Sequence, residues 1–152
     1  MSAGYFGGVK WLFLDSLQEV NAVRGSLGMM QRMWLIKLLE ADEAPAIVCV
    51  HHNPERSLVG LTDAEEFLDI VLPRRRVKLV LFGHTHEYRT WNRDGLHFVN
   101  LPATGYAFRP DARLGWLLAR VRRDGMEYEF RGIGGGASAG GGKRELEWRG
   151  DA

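Results

Sequence analysis

Short apolar runs alternate along the chain with segments in which apolar residues recur at helical spacing. Val9–Asp15, Ala46–Val50 and Val77–Phe82 are mostly apolar, and runs of this length predict buried strands. The segment from about Leu27 to Glu40 and the segment from Thr62 to about Leu72 predict helices between these strands. The order of strand, helix, strand, helix, strand predicts an α/β layer.

Local sequence patterns indicate where one of these helices begins and which side chains of the two helices are buried or exposed. Thr62, with Glu65 three residues later, has the pattern of a capping box, and Pro73 ends that helix. In the first helix, four apolar residues are predicted to share the buried face: Met30, Met33, Trp34 and Leu38. In the second helix, four acidic residues are predicted to form the solvated face: Asp63, Glu65, Glu66 and Asp69.

The pattern changes after residue 86, where two Asp-Gly pairs divide the apolar stretches. Asp-Gly favours the type I′ turn of a tight hairpin, so Asp94-Gly95 and Asp124-Gly125 each predict a hairpin. The four strands are expected near 87–93, 96–101, 114–123 and 126–131. The predicted fold class is therefore α/β, with a mixed sheet and terminal antiparallel hairpins.

Residues 132–152 differ in composition from the rest of the chain. Glycine occupies seven of the eleven positions from 132 to 142, which is typical of a flexible linker. The residues after 142 are few and polar. We therefore expect a folded part over residues 1–131 and a Gly-rich flexible tail over residues 132–152.

Net charge and cysteine content limit which functions are expected, but they say little about the fold. The chain of 152 residues has a net charge of +1, which gives no reason to expect nucleic acid or a membrane surface as a partner. No apolar run approaches the roughly 20 residues of a membrane helix. Cys49 is the single cysteine, and the first residues lack the features of a signal peptide. These features predict a cytoplasmic setting.

Four of the five histidines form two clusters, each directly after a predicted buried strand. His51 and His52 follow one strand, and His84 and His86 follow the next. The carboxyl ends of neighbouring strands collect ligand sites, so the clusters are expected to be close in space. The His-x-His spacing is expected to place two rings on one side of an extended backbone. With one ring from His51 or His52, three nitrogen ligands are typical of a catalytic zinc-type site.

The motifs and their surroundings resemble those of the calcineurin-like metallophosphoesterases. His51-His52-Asn53-Pro54 resembles the His-His-Pro-Pro motif of that family, with Asn53 in place of the first proline. Gly83-His84-Thr85-His86 matches its Gly-His-x-His motif. Further likenesses lie at Leu14-Asp15-Ser16, at Gln31 through Leu35, and at Asn100-Leu101-Pro102. The resemblance covers about residues 9–131 and implies half of a four-layer α-β-β-α sandwich.

The resemblance implies a role for each histidine of the two motifs. His51 and His84 are expected to bind one metal ion, and His86 a second ion. His52 is expected to face the phosphate in catalysis, but the departure at Asn53 leaves the choice between His51 and His52 as ligand open. The implied ions are iron, manganese or zinc, which promote hydrolysis of a phosphomonoester or phosphodiester.

Three motifs that the same family carries earlier in its chain do not occur here. They are Asp-x-His, Gly-Asp-x-x-Asp and Gly-Asn-His followed by Asp or Glu. The chain therefore resembles the C-terminal half of a catalytic domain. Without a bridging carboxylate to offset the repulsion between cations, the imidazoles are expected to hold at most one ion. We expect the chain alone to show little or no hydrolase activity.

Two alternative interpretations stay open at this point. In the first, the chain is a non-catalytic metal-binding remnant or regulatory fragment that pairs with a separate N-terminal half. Such a fragment would expose an apolar surface and is expected to self-associate. In the second, the basic stretch at Arg74–Arg76 with Lys78 contacts nucleic acid, although the near-neutral net charge disfavours this hypothesis.

Overall fold

In the computed structural model, which describes residues 1–134 and 141–150, a six-stranded mixed sheet forms the centre of the molecule. Its strands in chain order are β1 (Ser2–Phe6), β2 (Val9–Phe13), β3 (Ala46–Cys49), β4 (Val77–Phe82), β5 (Arg89–Arg93) and β6 (Leu96–Asn100). They lie side by side in the order β1-β2-β3-β4-β6-β5. The four inner strands run parallel, and the edge strands β1 and β5 are antiparallel to their neighbours. The carboxyl ends of the inner strands therefore meet along one edge of the sheet.

Helices cover one face of this sheet, and a second sheet covers the other. The helices are α1 (Gly28–Glu40) and α2 (Ala64–Val71). The second sheet is antiparallel and contains β7 (Gly115–Val121), β8 (Gly125–Gly132) and β9 (Lys143–Glu147). Val48 packs on the helix side, and its neighbour Ile47 packs on the side of the second sheet. The central strands are continuously apolar because both of their faces are buried.

The Asp94-Gly95 turn forms as the sequence predicts. Both residues have positive φ, 53° and 79°, which is the backbone of a type I′ turn between β5 and β6. The second predicted hairpin also forms, between β7 and β8. Neither Asp124 nor Gly125 has positive φ, and Gly125 is already the first residue of β8, so that turn is of another type.

Helix α1 buries a different face from the one that its spacing predicts. Leu35 and Leu39 are buried, whereas Met33 is exposed and Met30 is 73% exposed. Of the predicted face, Trp34 and Leu38 do contact the core as partly buried residues. The prediction was wrong because apolar residues lie on more than one side of this helix. Contact with the sheet, rather than periodicity, selects the buried side.

The start of α2 differs from the predicted capping box, and one acidic residue has a different role. Asp63 is the N-cap of α2 but makes no side-chain cap bond there. Its buried carboxylate instead accepts hydrogen bonds from the backbone N–H groups of Leu27 (3.0 Å) and Gly28 (2.8 Å) and from Arg32. The prediction of a solvated face is therefore wrong for Asp63, which caps α1 from a neighbouring element. The other three acidic residues are exposed.

The part of the expected tail that the structure describes near the end of the chain is folded. Lys143–Glu147 pairs with β8 as strand β9, and Arg149 is buried beside the end of α2. The prediction of a flexible tail is therefore wrong for these residues. Strand β8 offers backbone groups that pair with β9, and the end of α2 offers carbonyl oxygens that bind Arg149. The glycine-rich residues 135–140 lie outside the described residues.

Intramolecular contacts account for the basic run at Arg74–Arg76. Arg74 pairs with Glu40, and Arg76 pairs with Glu43. Arg75 donates hydrogen bonds to the backbone carbonyl oxygens of Asp94 and Gly150. The run therefore fastens α1 and the end of the chain to the sheet, which weakens the hypothesis of a nucleic-acid surface.

Candidate metal centre

Three imidazoles from the two histidine motifs converge beyond the carboxyl ends of β3 and β4. His51, His52 and His84 each offer a ring nitrogen, and these atoms lie within 4.8 Å of one another. His84 Nδ1 is 3.2 Å from His51 Nε2, and the ring centroids of His52 and His84 are 4.4 Å apart. No other group of this kind occurs in residues 1–134 and 141–150. The adjacent parallel pairing of β3 and β4 produces this convergence.

His86 lies outside this group of three, but it lines a cavity that His51 and His84 also line. The cavity has a volume of about 330 Å³, and its lining includes His51, His84 and His86. His86 Nδ1 is 2.9 Å from the carbonyl oxygen of Tyr106. Because a carbonyl oxygen only accepts, Nδ1 carries the proton and donates it, which leaves the lone pair on Nε2. His86 is thereby held in the tautomer that suits a metal ligand.

The Gly-His-Thr-His segment is a left-handed loop, not the extended backbone that the spacing suggested. His84 has φ of 71° and His86 has φ of 55°, values that non-glycine residues seldom adopt. The Asn100 side chain, at the end of β6, donates a hydrogen bond to the Thr85 hydroxyl and so ties the loop to the sheet. Backbone strain of this kind clusters at functional sites. Gly83, by contrast, has no positive φ, and a Cβ there would meet nothing within 4 Å.

Two residues far from His52 in sequence fix its ring from behind. Ser16 Oγ lies 2.8 Å from His52 Nδ1 and accepts a hydrogen bond from the His52 backbone N–H. A Cβ at Gly25 would lie only 2.2 Å from His52 Nδ1. Ser16 therefore orients the ring, and the glycine makes room for it. No local sequence pattern reveals this role of Gly25, because the close approach involves segments that are far apart in the chain.

The surroundings of His51 and His52 favour the neutral forms of these two imidazoles. Desolvation, together with the neighbouring His84 and His51 rings, lowers the pKa of His52 to about 4. Desolvation also lowers the pKa of His51, with His84 and His86 adding to the effect. Neutral imidazole is the form that binds metal ions, and three nitrogens suit one zinc-type cation. No carboxylate belongs to the group in the described residues, so the donors present fit one ion and not a bridged pair.

Four further ring side chains, which follow the second histidine motif in the chain, differ in their surroundings. Tyr106 lines the histidine cavity. Tyr88 packs against Phe130, and Trp91 stacks on Phe98, so both have packing roles. His97 Nε2 lies 2.8 Å from the carbonyl oxygen of Glu147, which makes it a bridge between β6 and β9.

The chain is similar to known proteins in sequence and in fold. Residues 4–88 match the model of the calcineurin-like phosphoesterase family. A probable cyclic nucleotide phosphodiesterase from Synechococcus sp. is 32% identical over 125 residues, which are 78% of this chain and 49% of that protein. A 3′,5′-cyclic adenosine monophosphate phosphodiesterase from Vibrio vulnificus is 32% identical over 108 residues, which are 65% of this chain and 38% of that protein.

A solved structure shows the same fold at low sequence identity. A dimetal phosphatase from Danio rerio is 17% identical, with a TM-score of 0.64 over 82% of this chain and 39% of that chain. The chain spans half or less of the length of these relatives.

Proposed function

This chain belongs to the calcineurin-like phosphoesterase family, and on that premise we propose that it supplies the imidazole part of a metal-dependent phosphoester-hydrolysing site. The observation that carries the proposal is the convergence of His51, His52 and His84 within 4.8 Å. The nitrogen lone pairs of neutral imidazole rings are the donors that bind metal ions. The left-handed loop and the contact with Ser16 hold the rings in place.

In this proposal each histidine has a separate task. His51 and His84 bind one divalent cation, with His52 beside them facing the phosphate. His86, oriented by the Tyr106 carbonyl, presents Nε2 to a second cation position. The family implies iron, manganese or zinc at such positions. A bound cation supplies Lewis-acid polarisation of the phosphoester and acidifies water.

The proposed substrate class is a phosphodiester, with cyclic nucleotides as the first candidates. Support comes from the two phosphodiesterases described above, whose names specify cyclic nucleotides. Both are about one-third identical to this chain over most of its length. The cavity beside the histidines is open to solvent at exposed residues such as Tyr106, so a small phosphoester has access to the rings.

We further propose that the described residues bind one cation and that hydrolysis requires carboxylate ligands from elsewhere. The group of three imidazoles contains no carboxylate. A second cation close to the first needs negative charge between the two. A second candidate function, a metal-binding regulatory fragment that pairs with an N-terminal half or with itself, is favoured by the exposed Trp116 and Leu118 on β7.

Metal titration of the purified chain tests the proposal. Co²⁺ is the probe because its absorption reports nitrogen coordination, and Zn²⁺ competes for the same site. We expect about one equivalent to bind, and His84→Gln to weaken binding by at least about tenfold. His97→Gln, which alters a histidine outside the cluster, is the matched control and should bind as the wild type does. Equal affinity of wild type and His84→Gln would refute the metal centre.

Hydrolysis of bis(p-nitrophenyl) phosphate tests the second part of the proposal. Little or no metal-dependent cleavage by the chain alone is expected. Robust cleavage that is lost in His84→Gln would support the reaction class but contradict the need for further carboxylates. The two assays therefore separate metal binding from catalysis.

No helix among the described residues is long and apolar enough to cross a bilayer. A cytoplasmic setting stays a prediction from the sequence. Burial raises the pKa of the Cys49 thiol to about 12, so this thiol is poorly reactive.

A further inference from the structure

We propose that Phe108 and Tyr106 form a stacking subsite for the nucleobase of a nucleoside phosphoester. This inference rests on the proposed phosphoester site and specifies which substrates it selects. The subsite lies in the connection between β6 and β7, residues 101–114, which we call the aromatic loop. The proposal is based on the geometry of three rings, on the cavity beside them and on the guanidinium of Arg109.

The aromatic loop is long but anchored at both ends. Its residues form turns and bends without helix or strand. The Leu101 N–H donates to the carbonyl oxygen of Phe82, and the Gly115 N–H, directly after the loop, donates to that of Ala103. Connections that reach or exceed about 12–15 residues without secondary structure are uncommon in compact domains, and ordered ones often serve as binding loops or active-site lids. This loop contacts the Gly-His-Thr-His segment at His86.

Three rings pack together beside the histidine cluster, and two of them, His86 and Phe108, are stacked. The His86 ring lies on Phe108 with centroids 4.4 Å apart and planes 22° apart. Tyr106 meets His86 edge-on at 4.8 Å. Phe108 nevertheless remains 64% exposed, and Tyr106 is also exposed. Large rings that pack against the protein on one face and are open to solvent on the other are suited to stack on a planar ligand.

A cavity of base-like size adjoins this stack. It has a volume of about 200 Å³, and its lining includes His86, Phe108, Arg109 and Arg113. This volume is below the roughly 300–1,000 Å³ of sites that enclose a whole drug-sized ligand, so it suits a single ring system. His86 also lines the cavity of the histidine cluster. A ligand with its phosphate at the histidines therefore has its base within reach of Phe108.

Charged groups in the cavity favour a heterocycle over an alkyl group. Asp111 holds Arg109 through two hydrogen bonds, at 3.1 and 2.8 Å, which fixes the plane of the guanidinium. Arg113 lies over the Phe130 ring at 3.9 Å. Aromatic faces beside planar guanidinium groups are the combination that proteins use to stack bases and bond their edges.

The test measures the binding of ligands with and without a base to variants that keep or remove the aromatic ring at position 108. Phe108→Leu keeps an apolar side chain but removes the ring, and Phe108→Trp keeps a ring. Phe6→Leu is the matched control, because Phe6 is 63% exposed and lies on β1 at the opposite end of the sheet. The probes are 3′,5′-cyclic AMP and inorganic phosphate by calorimetry with Zn²⁺ present, and adenosine by saturation-transfer NMR.

The expected result is that Phe108→Leu weakens binding of 3′,5′-cyclic AMP by about tenfold and leaves inorganic phosphate unchanged. Saturation transfer to adenosine should fall in Phe108→Leu and persist in Phe108→Trp and Phe6→Leu. The subsite is refuted if adenosine receives no transfer from the wild type, or if Phe108→Leu leaves adenosine and cyclic AMP unaffected. Equal losses for phosphate and cyclic AMP would also refute it.

The same measurements separate this inference from the proposed function. If Phe108-dependent transfer to adenosine is present but neither phosphate nor Zn²⁺ binds, the metal centre fails and the subsite stands. If phosphate binds with Zn²⁺ but adenosine transfer is absent, the subsite fails and the metal centre stands.

Discussion

Removal of the Arg149 side chain is the most direct test of how the end of the chain stabilises the fold. Arg149 is 7% exposed, and each of its five N–H donors bonds to a backbone carbonyl oxygen at 2.9–3.2 Å. The acceptors are Val71, Leu72, Arg74, Val77 and Asp94. Two of them belong to the last turn of α2, where carbonyl groups lack partners within the helix and a cation is favourable.

The magnitude follows from the number of bonds and from the cost of burial. A hydrogen bond to a charged group contributes about 1.5–3 kcal/mol, but five bonds to one guanidinium are not additive. Burial lowers the pKa of Arg149, which shows that desolvation offsets part of the gain. We expect Arg149→Ala to lower the free energy of unfolding by about 4 kcal/mol, at the upper end for single substitutions. Arg149→Lys should cost about 2 kcal/mol, because lysine has three donors and no planar fork.

Urea denaturation followed by tryptophan fluorescence measures these changes. In thermal unfolding, about 4 kcal/mol corresponds to a fall in Tm of about 10 °C for a chain of this size. Arg120→Ala, at an exposed arginine on β7, is the control and should change stability by less than about 0.5 kcal/mol. If Arg149→Ala is as stable as Arg120→Ala, the hydrogen bonds from Arg149 to the backbone carbonyl oxygens do not stabilise the fold as expected.

Three further predictions concern the site and its supports. Lowering the pH from 6.5 towards 4 should destabilise the metal-free chain, because unfolded His52 binds a proton in this window and folded His52, with a pKa of about 4, does not. The loss should approach about 3 kcal/mol, and urea titrations should show a shallower loss for His52→Gln; parallel pH profiles would contradict it. Asp63→Asn should lower the free energy of unfolding by about 2 kcal/mol, because Arg32 and the start of α1 lose a buried charge, whereas Asp69→Asn, exposed on α2, should be near neutral by the same measurement. Gly25→Ala should lower the free energy of unfolding by about 2 kcal/mol, because the added Cβ would lie 2.2 Å from His52 Nδ1 and 2.6 Å from the Ser16 carbonyl oxygen, whereas Gly83→Ala should be tolerated; equal stability of the two variants in urea denaturation would count against the packing argument.

Local patterns in the sequence are sufficient for much of the framework. The inner strands, both helices and the two hairpins lie close to their predicted positions. Hydrophobic periodicity and turn residues act over a few positions, so they can be recognised without knowledge of distant contacts. The convergence of the two histidine motifs also follows, because parallel neighbours such as β3 and β4 place their carboxyl ends together.

The finer geometry of the site depends on contacts between segments far apart in the chain. The sequence leaves His51 and His52 open as alternatives, and the structure brings both rings to His84. Ser16 orients His52 across 36 positions of sequence. The positive φ of His84 and His86, and the hydrogen bond from Asn100 that holds Thr85 between them, are not encoded by the His-x-His spacing.

The sequence by itself determined which segments become strands and helices and which side chains stand at the ends of the strands. The tertiary structure alone decided which face of α1 is buried, that Asp63 caps a helix other than its own, and that Arg149 closes the end of α2 across 78 positions. The physical reason is that a buried polar group takes its partner from whichever segment packs against it. That choice depends on the assembled layers and not on the neighbours in sequence.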